Sequence, residues 1–365
     1  MGPRRRSRPN ERRVMKAVVA ERTGPPSVMK WTDAEPPSPA PDECVVKVEA
    51  CGACMHEVLV RRGDRIQGTG FPIIPGHEVV GEVVEIGAAV VDFAVGDRVV
   101  SNQRQRVCGK CRECRSGRET RCPRKVFLGD IGMNGGYAEL VAVSDGSLVK
   151  VPPGVTSPDV AVASCAIGTQ LNALRDVAHL ELGETVLVTG AGGGVGLHAI
   201  QLAKASGARV VAQTTSPGKV EAVREAGADE IVLVERGADY SKEVLDVTDG
   251  RGCDIVLENV GAVSFLSSVK TLALHGRLVL VGEVQQSPPP VEANLVGWRN
   301  RDISIRSAAS TTKRQLEDVL TLLERGLVTP VVTETLPMSE APRAHEILES
   351  GSATGRILLI PDSAG

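Results

Sequence analysis

Apolar positions along this chain follow two rhythms. Before Pro152 they alternate over short stretches, so Met15–Ala20, Glu43–Ala50, Val79–Ile86 and Asp97–Ser101 each read as a brief strand, with a Pro-rich connection over 35–41 between the first two. Short strands set between Gly and Pro turns predict a compact β domain. After Pro153 the texture changes to helix and strand in alternation. Helices are predicted at Asp159–Leu174, Lys219–Ala226 and around Ser264–Leu274, and strands at Arg209–Gln213, Glu230–Val234, Cys253–Glu258, Arg277–Val281 and Ile303–Ser307. Alternation at this spacing predicts a doubly wound parallel sheet, and the fold class is α/β with a β-rich companion. The tail carries helical patterns at Lys313–Arg325 and Glu340–Ser350, a short stretch Glu334–Pro337 and a strand at Ile357–Ile360, and it repeats neither half.

Between these patterns lies Thr185–Thr189, a β-branched apolar run, followed by Gly190, Ala191, Gly192, Gly193, Gly194, Val195 and Gly196 and a helical pattern to Ser206. Strand, glycine turn and helix start describe a dinucleotide phosphate site. A loop without Cβ atoms lets the backbone approach a pyrophosphate, whose charge the free amides of a helix N-terminus stabilise. In the register that ends at Gly196 the fingerprint positions are Ala191, Gly193 and Gly196, so the first glycine is replaced and Gly190 supplies flexibility one residue earlier. The end of the next strand discriminates between cofactors, because an acid there usually holds the ribose hydroxyls of NAD. Here the run offers Thr214, Thr215, Ser216 and Lys219, with no carboxylate before Glu221, which favours NADP(H).

Charge changes the picture at one end only. The net charge is −3, but the first 14 residues hold six Arg and one Glu, which leaves 36 basic and 44 acidic side chains for the rest. That leader is too polar to bury anything and is expected to be disordered, with folding from Met15. The mildly acidic body argues against nucleic acid as the main partner. No apolar run approaches a membrane span, and no short apolar segment follows the basic N-terminus. The expectation is a cytoplasmic protein of about two domains with a small-molecule substrate.

Four of the nine cysteines, Cys108, Cys111, Cys114 and Cys122, crowd into one polar loop. Four thiolates at this spacing close tetrahedrally on a structural zinc and leave no open position. A second set is spread out: Cys54 with His56 and Glu57, His77 with Glu78, and Cys165. Each alone is an ordinary core or turn residue. Beside a dinucleotide loop, however, two thiolates and one imidazole give zinc three ligands and leave one position for water or substrate. Cys44 and Cys253 read as buried strand residues.

From Met15 onward the sequence resembles the zinc-containing medium-chain dehydrogenase/reductases. The matching features are Cys51-Gly-Ala-Cys54, Gly76-His77-Glu78, the Cys108 to Cys122 loop, Gly135-Gly136-Tyr137-Ala138-Glu139, Cys165 and the glycine turn, in the family's order. The resemblance implies a GroES-like catalytic domain built from 15–155 and 311–365, with a Rossmann domain over 156–310 inserted between them. It implies Cys54, His77 and Cys165 as catalytic zinc ligands, with Glu78 a nearby or exchangeable fourth. Thr169 is then beside the nicotinamide, Val281 and Gly282 face it, and a homodimer or homotetramer forms through sheet edges near Ile303–Ser307. Relatives commonly carry Ser or Thr and then Asp where His56 and Glu57 stand, so the hydroxyl of a proton relay is missing. His56, with an ordinary pKa of about 6.5, suits that part, and Glu57 suits the task of orienting His77.

The expected activity is hydride transfer between NADP(H) and an alcohol or carbonyl compound at zinc, with His56 or water moving the proton. Two alternatives stand beside it. The segment Val188–Lys219 and the tail also resemble NADPH-dependent acryloyl-CoA reductases, which reduce a carbon–carbon double bond without requiring zinc on the substrate. The other is a non-catalytic NADPH-binding scaffold or sensor.

Overall fold

The computed structural model describes residues 14–64, 70–130, 132–155, 159–282 and 292–362. Of the predicted leader, residues 1–13 lie outside them. The first part of the chain forms strands β1 (Met15–Ala20), β2 (Met29–Ala34), β3 (Glu43–Ala53), β4 (Glu78–Ile86), β5 (Arg98–Ser101), β6 (Arg104–Arg106), β7 (Val126–Phe127), β8 (Leu140–Ser144) and β9 (Leu148–Lys150). Helix α1 (Met55–Arg62) follows β3, and the single turn α2 (Arg112–Arg115) sits in the cysteine loop. β3 organises this part. It pairs with β4 and β8 and is buried along nearly its whole length, because both of its faces are covered.

The second part alternates strand and helix: α3 (Gly168–Leu171), β10 (Thr185–Val188), α4 (Gly194–Ala205), β11 (Arg209–Thr214), α5 (Val220–Glu225), β12 (Glu230–Leu233), α6 (Ser241–Val247), β13 (Cys253–Glu258), α7 (Phe265–Lys270), β14 (Leu272–Leu280), α8 (Leu295–Asn300) and β15 (Ser304–Ser307). The six strands form one parallel sheet in the order β12-β11-β10-β13-β14-β15. The order reverses beside β10, which puts a crevice outside the carboxyl ends of β10 and β13.

The chain then returns to its beginning. After α9 (Lys313–Glu324), β16 (Val332–Pro337) and α10 (Ala341–Ser350), the last strand β17 (Arg356–Ile360) pairs antiparallel with β3, Ile357 opposite Ala53 and Leu359 opposite Cys51. The first sheet therefore runs β16-β17-β3-β4-β5-β9, with β8 also on β3. The two sheets share buried packing, in which Val80, Val100 and Leu358 join Val186, Ile200 and Leu257 in one apolar cluster. Among the described residues, no helix is long and apolar enough to cross a membrane.

Two predicted helices differ. Asp159–Leu174 is not continuous: a 3-10 segment over Asp159–Ala163 gives way to a turn, then α3, then a π-helical stretch over Asn172–Val177. The cause is tertiary. The Ser164 carbonyl accepts from Gln103 Nε2 at 2.8 Å and from Thr311 Oγ1, which draws it out of the helical ladder just before Cys165. The helix predicted to Leu274 stops at Lys270 because Cys253 N–H donates to Thr271 O at 2.8 Å and Leu272 joins the sheet opposite Cys253. Pairing outweighs helical propensity there. Helix α1 and strands β2, β8 and β9 have no counterpart in the sequence reading.

Candidate active site

Cys54 is the N-cap of α1, and Glu57 is the third residue of that helix. Glu57 Oε2 accepts the Cys54 amide at 3.1 Å, so the helix start is satisfied by its own side chain. The other oxygen, Oε1, accepts from His77 Nδ1. That contact turns Nε2 of His77 toward the remaining ligands, 3.6 Å from Glu78 Oε1. The ligand atoms of Cys54, His77, Glu78 and Cys165 all lie within 4.8 Å of one another.

Burial sets the electrostatics of this cluster. It lowers the affinity of His77 for a proton, but the Glu57 carboxylate and Cys54 more than reverse this and hold the imidazole pKa well above its usual value. A hydrogen bond from the Cys165 thiol, helped by Arg356 and His77, holds Cys54 well below the usual thiol range, while the same bond and burial push Cys165 up. Burial pushes Glu78 up to about 7 even though Arg356 Nη2 is 2.8 Å from its Oε1. Oε1 is held by that ion pair, whereas the buried Oε2 makes no hydrogen bond. An orphaned carboxylate oxygen beside two thiols and an oriented imidazole fits a divalent cation of zinc type.

The second quartet is closed. Cys111 Sγ is 3.4 Å from Cys114 Sγ and 3.9 Å from Cys122 Sγ, and the amides of Cys111 and Cys114 donate to Cys108 Sγ and Cys111 Sγ at 3.4 Å. Four thiols in this arrangement fit a fully coordinated metal. The lobe they form is tied to the later chain by Arg121 Nη2, which donates to Ser307 O at 3.1 Å and to Ser307 Oγ at 3.2 Å, by Lys313 N to Glu119 Oε1 at 2.9 Å, and by Arg104 Nη2 to Thr311 O.

A cavity of about 400 Å³ joins the metal-ligand cluster to the glycine turn. Cys54, His56, His77, Cys165 and Thr169 line one side, and Gly190, Gly193, Gly194, Val195, Lys219, Val281 and Gly282 line the other. Ala191 and Gly196 lie beneath the turn: Gly190 has φ +58°, and a Cβ on Gly196 would sit 2.5 Å from Gly190 O. The hydroxyl residues after β11 are placed elsewhere. Thr214 is buried and accepts the Ser216 amide at 3.3 Å, and neither Thr215 nor Ser216 lines the cavity. Lys219 does, and its Nζ donates to Gly351 O at 2.7 Å and to Ala353 O.

Five further residues shape the site. His56 Nε2 is 3.4 Å from Asp130 Oδ2, and its ring lies 4.7 Å from Phe127 and 4.9 Å from His77. Gln103, in the left-handed region at φ +72°, bridges Ser164 O and Thr169 Oγ1. Asn259 follows β13, donates to Thr189 O and accepts from Gln170. Arg356 opens β17. An arginine heading the apolar run Arg356–Ile360 is a signal for a buried ion pair, and Asn259 stands at a strand's carboxyl end; Gln103, Phe127 and Asp130 carry no such mark.

The profile described as alcohol dehydrogenase GroES-like domain matches residues 40–153, and that described as zinc-binding dehydrogenase matches 194–325. An acryloyl-coenzyme A reductase of Sulfurisphaera tokodaii is 33% identical over 350 residues, covering 95% of this chain and all of that one. The chain belongs to the zinc-type medium-chain dehydrogenase/reductase family. A second relative in S. tokodaii, an NAD-dependent alcohol dehydrogenase, is 32% identical over 95% of this chain and all of its own. The crystal structure of AibC superposes with a TM-score of 0.89 at 37% identity, covering 99% of this chain and all of that one. As a member of this dehydrogenase/reductase family, the chain is an oxidoreductase whose fold serves zinc and a nicotinamide cofactor.

Proposed function

We propose that this chain transfers a hydride between NADP(H) and an alcohol or carbonyl compound, with zinc at Cys54, His77 and Cys165 and a second, structural zinc at Cys108, Cys111, Cys114 and Cys122. The observation that carries the reading is the single cavity shared by the first ligand cluster and the glycine turn. When bound, zinc supplies Lewis acidity to the substrate oxygen, and the nicotinamide supplies or takes up the hydride.

The side chains do the rest. Glu57 holds His77 by Nδ1 and keeps Nε2 for the metal. Glu78 stands by as an exchangeable ligand, its charge balanced by Arg356. His56 moves the proton, with Asp130 behind it. Phe127, Met55 and Leu59 wall the cleft against water, and Thr169, Val281 and Gly282 position the nicotinamide. NADP is favoured because no carboxylate stands between Gln213 and Val220, and Glu221 is engaged by Arg224.

The same reading divides the chain into a catalytic unit, 15–155 with 311–365, and a cofactor-binding unit, 156–310. It has copies pairing as homodimer or homotetramer through the open edge of β15, in the reducing cytoplasm that suits nine cysteines free of disulfides.

A second reading, reduction of an enoyl thioester, is favoured by one observation: an imidazole replaces the relay hydroxyl in a chain that is 33% identical to an acryloyl-CoA reductase. NADPH oxidation assayed with aldehydes, ketones and 2-enoyl thioesters, with and without chelator, separates the two. Turnover of aldehydes or ketones that disappears with zinc is expected. Turnover of enoyl thioesters alone overturns the first reading.

A further inference from the structure

Two cations stand at the carboxyl ends of β11 and β12 without a carboxylate between them. Lys219 follows the turn after β11; its stem lies over Gly192, where a Cβ would be 2.7 Å away, and its ammonium rests on Gly351 O at 2.7 Å. Arg236 lies just beyond β12, two residues after Val234, whose amide donates to Thr214 O at 3.1 Å. Its Nη2 is 3.2 Å from the position a Cβ would take on Gly351. Both cations therefore converge on Gly351, the left-handed residue (φ +71°) that ends α10.

Among the described residues, neither cation is paired with a carboxylate. Glu221 is paired with Arg224, and Glu235, next to Arg236 in sequence, pairs with neither cation. Burial, and after it the Arg236 guanidinium, holds the Lys219 pKa below its ordinary value. Two positive charges brought together without an anion between them repel, and a ligand's anion relieves that repulsion. The position is also the one at which an open α/β sheet meets the adenosine ribose of a dinucleotide, outside the carboxyl end of the second strand.

We propose that Arg236 and Lys219 form a two-sided clamp for a phosphomonoester, the 2′-phosphate of NADP(H), and that Arg236 is the residue that sets NADP over NAD. The proposal rests on the NADP reading given above. Arg236 offers a planar fork that matches two phosphate oxygens, and Lys219 adds a point charge from the side of the glycine turn. The carbonyls of Gly351 and Ala353 hold the ammonium in place before the cofactor arrives.

The test measures dissociation constants of NADPH, NADH and adenosine 2′,5′-bisphosphate for the full chain and for Arg236→Ala and Arg236→Glu, with inorganic phosphate as competitor. The wild type is expected to prefer NADPH. Arg236→Ala should weaken NADPH and the bisphosphate by about 10- to 100-fold and leave NADH unchanged. NADH binding thus reports that the variant is folded. Arg236→Glu should favour NADH. A wild type that prefers NADPH, with Arg236→Ala keeping that preference, overturns the clamp and leaves the NADP reading standing. A wild type that binds NADH as tightly as NADPH overturns the NADP reading itself. Inorganic phosphate competing as well as the bisphosphate overturns the assignment to a 2′-phosphate.

Discussion

Glu57 grips His77 from behind the metal-ligand cluster, with one carboxylate oxygen on imidazole Nδ1 and the other on the amide of Cys54, itself a ligand candidate. One buried side chain thus sets two ligands at once. Glu57→Ala strips the partner from a buried Nδ1 and uncaps α1 together. Zinc affinity measured by competition with a chromogenic chelator should fall by about 10- to 100-fold. Affinity unchanged from wild type would sink the orienting role.

Gly52 lies on β3 against Glu78, and a Cβ there would sit 2.4 Å from Glu78 Oε2. Gly52→Ala therefore pushes the carboxylate out of the cluster without touching a ligand. The expected cost is about 1 to 3 kcal/mol in urea unfolding, accompanied by faster zinc loss to chelator. Wild-type stability together with wild-type zinc retention would show that Glu78 has room to yield.

Arg356 is the counter-charge of Glu78 in a fully buried setting. Arg356→Met leaves an uncompensated carboxylate and should destabilise the protein by about 3 to 5 kcal/mol. Adding Glu78→Gln to the same chain should restore part of that loss. A double variant no more stable than the single one would assign the loss to packing instead.

Two histidines are buried as neutral rings, and their tautomers follow from their partners. Val331 N–H donates to His198 Nε2 at 3.0 Å, so Nδ1 carries the proton to Gly194 O; Arg61 Nε donates to His345 Nδ1 at 3.2 Å, so Nε2 carries it toward Tyr137. Burial pulls His198 down to about 4 and, with Arg61, pulls His345 down to about 3. Unfolded chains bind these protons near pH 6.5, so the stabilisation is complete above that pH and is lost as pH falls through the window toward 4 and 3. The His198 share is about 3 kcal/mol. The urea midpoint of His198→Gln should therefore depend less on pH between 6.5 and 4.5 than that of the wild type, and equal slopes would contradict the assignment.

Cys114→Ser opens the closed quartet while leaving the cavity intact. Zinc content should fall by one ion per chain. Because Arg121, Glu119 and Arg104 tie that lobe to Ser307, Lys313 and Thr311, hydrogen exchange should rise over 307–313 as well as in the cysteine loop. Protection unchanged over 307–313 would show that the lobe stands alone.

Much of this architecture is legible in the sequence, because β10 to β15 are short apolar runs punctuated by helix, and periodicity reports burial directly. The two candidate ligand clusters, Cys54 with His77, Glu78 and Cys165, and Cys108 with Cys111, Cys114 and Cys122, are legible through spacing and order. What escapes is decided by distant partners. Helix α1 reads poorly because Arg61, a charged residue, is buried against Gly24, His345 and Glu349. The break before Cys165 is imposed by Gln103 and Thr311, residues far away in the chain. Asp130 and Phe127 reach His56 from loop and edge positions that no period marks. Arg236 escapes because it follows β12, one strand later than the strand end that cofactor fingerprints read.

The return of β17 to β3 has a consequence during synthesis. The ligand-bearing segment from Cys54 to Glu78 leaves the ribosome early, yet its sheet neighbour and the guanidinium opposite Glu78 are supplied by the last strand of the fold. The parallel-sheet segment, whose described strands pair with one another, can fold in the interval. The first ligand-candidate cluster is therefore assembled only once the end of the chain is out, and the same end closes the cofactor crevice through Gly351, Ala353 and Gly355.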